Sequence, residues 1–335
     1  MKARTLLGAL ALVALLLLLW ELRWVLLILF GAVVLAVALD VPTSLLRRLT
    51  PLNRGASLSL VLLVLLMIGW LLANLLLPEL IDQVRQFSQL VPELIQRLGK
   101  VVPSTPLLRD LERQLAEGTL WDRLQPLGGQ LLGVAGGAAN STIQLLLMLL
   151  LAILMALDPA SHQRLLVAAT PRFYRPRMQE LLGECREALG GWLAGMTISG
   201  TVVFVTTWAG LALLQVPLAL LSGLVCGLLT FVPTIGPTAA TLLPLAVALL
   251  ISPAKVVQVL VLRLLLQNGE AFLLTPLLLS RTVNLLPTVA LMAQLSLGAL
   301  LGLPGLLLAL PLVVVLQVVC EEVLVRDVMD RWDRA

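Results

Sequence analysis

The sequence predicts an all-α polytopic membrane protein, a helical bundle in which two apolar segments are interrupted by proline and glycine. Three observations carry this. The 335 residues are 59% hydrophobic with a mean hydropathy of +1.02, and only 13% are charged, against roughly 25% in soluble domains. The 67 residues from Ala188 to Ala254 contain no Asp, Glu, Lys or Arg. The apolar runs lack the period-two alternation of a barrel strand, and aromatic residues make up 4%. In hydrocarbon every backbone N–H and C=O needs an internal partner, which leaves helices as the spanning element.

Composition also removes several function classes. The net charge of +4 comes from basic residues dispersed around apolar runs, the positive-inside pattern of a membrane protein rather than a nucleic-acid surface. Cys185, Cys226 and Cys320 are far apart and His162 stands alone, so no metal-type spacing exists. No HExxH, GxSxG, intramembrane aspartate pair or GK[ST] phosphate loop is present. The expectation is a protein that is not an enzyme and has no cofactor or metal.

Residues 1–77 read as N-terminal transmembrane helices. The start resembles a signal peptide, but Trp20-Glu21-Leu22-Arg23-Trp24 replaces a small-residue cleavage site, so a retained anchor is expected. Leu6–Trp20 and Trp24–Leu39 read as two crossings around that polar link. Arg47, Arg48 and Arg54 follow in a cytoplasmic loop, and Leu58–Leu77 is a further span. Residues 78–137 are different, with six basic and seven acidic residues. Leu80, Val84, Phe87, Val91, Leu94 and Leu98 recur at helical spacing. An amphipathic region is expected there, on the membrane surface or against neighbouring subunits, on the non-cytoplasmic side. Pro103 and Pro106 break it before a second amphipathic stretch, Leu107–Leu124. The glycines from Gly128 to Gly137 suit close helix approach or a hinge.

Residues 138–157 return across the membrane, and Asp158-Pro159 ends that span. Residues 158–190 read as a charged cytoplasmic loop and helix, with Arg164, Arg172, Arg175, Arg177 and Arg186. Residues 191–320 form the expected transport core, and 321–335 a cytoplasmic tail. Within the core, Gly195, Thr197, Ser199, Gly200 and Thr201 mark a helix–helix interface or a pathway lining.

Phe231–Pro244 breaks helix rules where lipid should enforce them. Pro233, Gly236, Pro237 and Pro244 interrupt it, and Thr230, Thr234, Thr238 and Thr241 give it hydroxyls. Each apolar half is too short to span, and the whole is too long for one straight crossing. A re-entrant hairpin or a discontinuous helix satisfies both facts. Gly302–Pro311, with Pro304 inside it, repeats the pattern. GLLTFVPTIGPTAATLLPLAVAL aligns loosely with GALLGLPGLLLALPLVVVL. Paired interrupted segments are the mark of a site built on inverted repeats.

Between them, Arg263, Gln267 and Glu270 share one helix face. Glu270 is the only acidic residue between Glu187 and Glu321. It must pair, face water or take up a proton. Two readings stand, an Arg263–Glu270 pair that fixes the bundle and a proton or cation site.

FVPTIGP, QNGEAFLLTPLLLS with VNLLP, and GALLGLPGLLLALPLVVVL resemble the C-terminal half of the autoinducer-2 exporter (AI-2E) family. Val232 to Pro237 matches its I-P-x-x-G-P element, Gln267 and Glu270 its I-Q-x-x-E segment, and Gly302, Gly305, Ala309 and Pro311 its final G-x-x-G-x-x-x-A-x-P. Asn268-Gly269 departs from the bulkier pair expected before Glu270. The resemblance implies a transporter of the bacterial inner membrane, with both termini cytoplasmic. It also implies a homo-oligomer, with the pentamer as the expected form. Family members are linked to export of the quorum-sensing signal autoinducer-2 and to sodium/proton exchange. The expected partners are the bilayer, a small polar solute and a coupling proton or sodium ion, with no nucleic acid. A passive channel is the alternative.

Overall fold

The structure is a computed structural model. It describes residues 14, 17, 18, 20–101, 139–232, 235–274 and 286–329. The expectations for Lys2 and Arg4, residues 102–138, Pro233, Thr234, Pro276, Arg281 and Arg331 onward lie outside them. The described residues are helical and form a polytopic membrane protein. Five helices among them are long and apolar enough to cross a membrane, and a bent pair would make a sixth. The chain divides into two compact units, residues 1–58, 140–186 and 292–335, and residues 59–139 and 187–291.

In the first unit, α1 spans Arg23–Leu49. The reversal expected at Trp20–Trp24 is absent. Leu22 N–H donates to Leu18 O and Leu26 N–H to Leu22 O, both at 2.9 Å, so helical bonding runs through the link. Arg23 makes this tolerable by reaching back, donating to Trp20 O at 2.8 Å with its guanidinium 4.7 Å above the Trp20 ring. The polar link is therefore a helix face and not a turn.

Helix α2, Arg54–Val101, begins in the first unit and continues in the second. Helix α3, Ala139–Leu157, meets α4, Pro159–Ala168, at an 89° bend. Asp158 makes this elbow. Its carboxylate accepts the Ser161 N–H at 3.1 Å, and Pro159 opens the next helix. The Ser161 hydroxyl and amide hold the Asp158 carboxyl below its ordinary pKa. With the folded value depressed, the cap contributes above the unfolded carboxylate range and is lost as pH falls through the folded value.

Helix α5, Arg175–Leu213, starts in this unit. Asp40, 5% exposed, is held by Arg54 at 2.5 Å and by Arg186, while Arg54 also donates to Ala156 O at 2.8 Å. Arg177 pairs with Glu322 at 2.6 Å and Asp327 at 3.1 Å, and Tyr174 donates to Asp327 at 2.8 Å. The α1–α2 loop, the end of α3, the arginine-rich segment and the C-terminal helix Cys320–Met329 are thus joined by charge. These are the segments that the sequence assigned to one side by arginine content.

In the second unit, α2 runs as one helix past Pro78 and Pro92, not ending at Pro78 as the 1–77 boundary implied. At 1.5 Å per residue it is about 70 Å long, well beyond about 30 Å of hydrocarbon. Phe87 and Leu90 pack on a buried cluster of Leu211, Val216, Leu218, Ala219, Val247, Ala248 and Val259. Part of the amphipathic face therefore has its partner within the same chain. The other helices here are α6, Ala219–Leu229, α7, Ile235–Ile251, and α8, Pro253–Gly269, which leads into a wide helical turn Glu270–Leu274.

The turn from α5 into α6 is a Schellman closure. Val216 N–H donates to Leu211 O at 3.0 Å and Gln215 N–H to Ala212 O at 2.9 Å, with Gln215 at φ 53°. Long side chains satisfy the helix ends that remain. Gln83 accepts the Leu221 N–H at 2.8 Å in the first turn of α6, and Arg97 donates to Leu249 O at 3.3 Å in the last turn of α7. Lys255 donates to Leu214 O at 2.5 Å.

Both interrupted segments are helical hairpins. Helices α6 and α7 pack on each other, with Cys226 Sγ 3.5 Å from Ala240 O. A Cβ at Gly236 would collide with the Leu229 carbonyl. The second hairpin lies in α9, Pro287–Val319, where Gly302 adopts φ 65°, ψ −148°, a conformation open to glycine almost alone. A Cβ at Gly305 would collide with Leu297 O, and one at Gly298 would lie 3.7 Å from Leu306. Residues eight apart touch in this way only if the chain doubles back. The long apolar run is therefore two arms, 287–301 and 303–319, and not one straight crossing.

Gly302→Ala should cost about 1–3 kcal/mol in reversible unfolding of the full chain. Gly69→Ala, where a Cβ meets nothing within 4 Å of a helix interior, should be neutral or stabilising by about 0.5–1 kcal/mol. Asp40→Asn should destabilise by less than the roughly 3–5 kcal/mol of a fully buried pair, since the Arg54 and Arg186 side chains keep 21% and 44% of their exposure. Thermal unfolding in detergent would show it.

Candidate functional site

Helices α5, α6, α7 and α8 of the second unit bring polar groups into an otherwise apolar interior. The helices meet along a seam of small residues. A Cβ at Gly227 would lie 2.7 Å from Gly200 O, and one at Gly223 would lie 2.9 Å from the Trp208 Cβ. Without a hydrophobic drive between helices in lipid, such close approach supplies the packing. The small-residue pattern of α5 is in this respect a helix–helix interface. Trp208 stacks on Phe204 with ring centroids 6.2 Å apart.

Arg263 is the centre of the polar set. It is 3% exposed on α8. Its Nε donates to Thr241 Oγ1 at 3.2 Å, its Nη1 to Thr207 Oγ1 at 3.0 Å and its Nη2 to Pro237 O at 3.4 Å. Thr241 in turn donates to Pro237 O at 2.9 Å. The Pro237 carbonyl, in the first turn of α7, thus accepts from two side chains. Pro237 has no N–H of its own to lose, so the start of α7 can carry it without an orphaned donor.

Glu270 lies seven residues beyond Arg263, and its carboxylate accepts from Ser199 Oγ at 2.9 Å. The salt bridges among the described residues do not include one between Arg263 and Glu270. Arg263 meets hydroxyls from α5 and α7, and Glu270 meets one from α5. Gln267 lies between them on the same helix, partly buried.

Of the site residues expected from sequence, Pro237, Thr241 and Arg263 therefore meet. Thr230 is 6% exposed and donates to Cys226 O at 3.0 Å within its own helix. Gly236 is buried at the hairpin closure and Thr238 is exposed. Pro233 and Thr234 lie outside the described residues. Gly302 and Pro304 are exposed at the tip of the second hairpin, and Pro311 is buried in its second arm; these belong to the other unit. No group of three or more His, Cys, Asp or Glu among the described residues could hold a metal ion.

Thr207 and the Pro237 carbonyl were not singled out from sequence. Thr207 lies seven residues from Gly200 on the same helix face, the one signal the sequence carried for it. A backbone carbonyl that accepts from a remote side chain leaves no mark of its own in a sequence.

Comparison with known proteins gives this arrangement a context. The AI-2E family transporter model matches residues 9–324. The AI-2 transport protein TqsA of Escherichia coli (strain K12) is 26% identical over 249 residues, 73% of this chain and 68% of TqsA. The provisionally named transport protein sll0060 of Synechocystis sp. is 24% identical over 294 residues, 83% of this chain and 82% of that protein. YrrI of Bacillus subtilis (strain 168), also provisionally named a transport protein, is 29% identical over 149 residues, 44% of this chain. The matched region spans 42% of YrrI and 52% of YueF from the same organism, under two thirds of each. A model matched over nearly the whole chain, on a polytopic helical scaffold with two hairpins, identifies the protein as a member of the AI-2E transporter family.

Proposed function

We propose that the protein is a secondary transporter of the bacterial inner membrane that exports a small polar solute of the autoinducer-2 type by alternating access. The observation that carries this is the pair of glycine-closed hairpins in uncharged sequence, one of them presenting a carbonyl and a hydroxyl to a buried arginine. Irregular backbone at membrane depth is tolerated where it is packed in protein or lines a cavity. Paired breaks of this kind are how transporters place a site away from lipid. The printed name of TqsA supports the solute class. Arginine content supports a cytoplasmic side for the end that joins Asp40, Arg54, Arg177, Arg186 and Glu322, and a cytoplasmic C-terminus is part of the same reading. Cytoplasmic placement of the N-terminus relied on a reversal at Trp20–Trp24 and is not carried forward. A homo-oligomer, with the pentamer expected from the resemblance, is part of the same proposal.

A second reading is favoured by Glu270. It is an acidic group in the membrane segment that accepts from the Ser199 hydroxyl, and such a group is suited to exchange a proton or sodium ion. In this reading the protein couples solute movement to a cation, or is an antiporter for sodium and protons.

The deciding experiment is flux in proteoliposomes loaded with labelled autoinducer-2, with and without an imposed proton or sodium gradient. Saturable, gradient-dependent efflux is expected. Glu270→Gln should abolish the gradient dependence while solute exchange at equilibrium persists. Gradient-driven flux unchanged in that variant would remove Glu270 from the coupling role. Non-saturating conductance without counter-ion movement would instead indicate a channel.

A further inference from the structure

We propose that Arg263, with Thr207 and Thr241, forms a binding site for a small monocarboxylate. This rests on the transporter reading and adds to it a site for an anion. A guanidinium that is 3% exposed stays charged, and a buried cation is costly unless an anion or a full set of acceptors meets it. Its partners are three neutral oxygens, two from threonine hydroxyls and one from Pro237. No described carboxylate forms an ion pair with it.

The donor inventory makes the deficit specific. A guanidinium carries five N–H groups. The three hydrogen bonds use one each on Nε, Nη1 and Nη2, which leaves two N–H groups, one on each terminal nitrogen, with no acceptor among the described residues. A carboxylate is the acceptor whose planar pair of oxygens fits such a donor. A second group points the same way. Cys226 is buried on α6 with its Sγ 3.5 Å from Ala240 O. One turn earlier on the same face of α6, the Ser222 Oγ is fully buried and has no hydrogen-bond partner among the described residues.

Charge selects a monoanion. One carboxylate neutralises the Arg263 guanidinium. A phosphate dianion would leave a net negative charge in the same low-dielectric interior, with Glu270 two helical turns along the same face of α8. The exposure of Arg263 means that the site is closed in this conformation, which fits one stage of alternating access.

The test uses the purified full chain in detergent, titrated with acetate, lactate and pyruvate and with the neutral isosteres acetamide and lactamide. The readouts are tryptophan fluorescence, with Trp208 beside Thr207, and the thermal midpoint. The carboxylates should give a saturable response that the amides do not. Arg263→Gln should weaken it about tenfold or more. Arg263→Lys should retain a weaker response, and Thr207→Val with Thr241→Val should fall between. If Arg263→Gln does not fold, the comparison of carboxylates with amides on the unaltered chain and on Arg263→Lys still decides. An equal response to the amides, no response to any of the three carboxylates, or tighter binding of inorganic phosphate overturns the proposal. Carboxylate binding without flux in proteoliposomes would keep the site and reject the transporter. Saturable flux of autoinducer-2 with no response to carboxylates would do the reverse.

Discussion

The fold depends on the backbone's need for hydrogen-bond partners where water is absent. A straight helix meets that need by itself, and an interrupted one does not. Each interruption in this chain is resolved by packing one arm of a hairpin directly against the other, and glycine is what allows the approach. Gly236 stands against the Leu229 carbonyl and Gly305 against the Leu297 carbonyl. Each glycine opens the second arm, and each carbonyl lies at the end of the first. The two hairpins thus share a local device, although the residues around them differ. The polar site follows from it, since the carbonyl that Arg263 reaches belongs to Pro237, at the start of an arm.

Charge organises the two units in different ways. In the first, acids and arginines pair densely at one end, and Asp40 and Glu322 are buried with two arginine partners each. In the second, the buried arginine and the acid on α8 each meet hydroxyls. Ion pairs of the first kind fix geometry, because either partner left alone in the interior is costly. Hydroxyls are weaker and can exchange one partner for another at lower cost. An interior held by hydroxyls is suited to accept a ligand in their place.

Much of this was legible in the sequence. The uncharged runs located both hairpins, and the prolines and glycines placed their tips within a few residues. The three-and-four spacing of Arg263, Gln267 and Glu270 put them on one face before any coordinates. Other features were not legible, for physical reasons. Trp20–Trp24 looked like a turn because a charge amid apolar residues resembles a loop, yet Arg23 hides its cost by bonding to Trp20 O. Pro78 looked like a boundary, and α2 continues through it, since a proline removes one backbone hydrogen bond and can bend a helix without ending it. The hydroxyls that serve Arg263 come from helices remote in sequence, and no local pattern links Thr207 to residue 263. Thr230 reads as a lining group from its position but spends its hydroxyl on its own helix.

Helix α2 holds the first hairpin at both of its open ends, through Gln83 on the first turn of α6 and Arg97 on the last turn of α7. Phe87 and Leu90 fill the space between. A hairpin gripped in this manner behaves as a blade fixed in a handle. Its base cannot slide unless the roughly 20 Å of α2 between those two side chains travels with it. The long helix is then the lever arm of the unit.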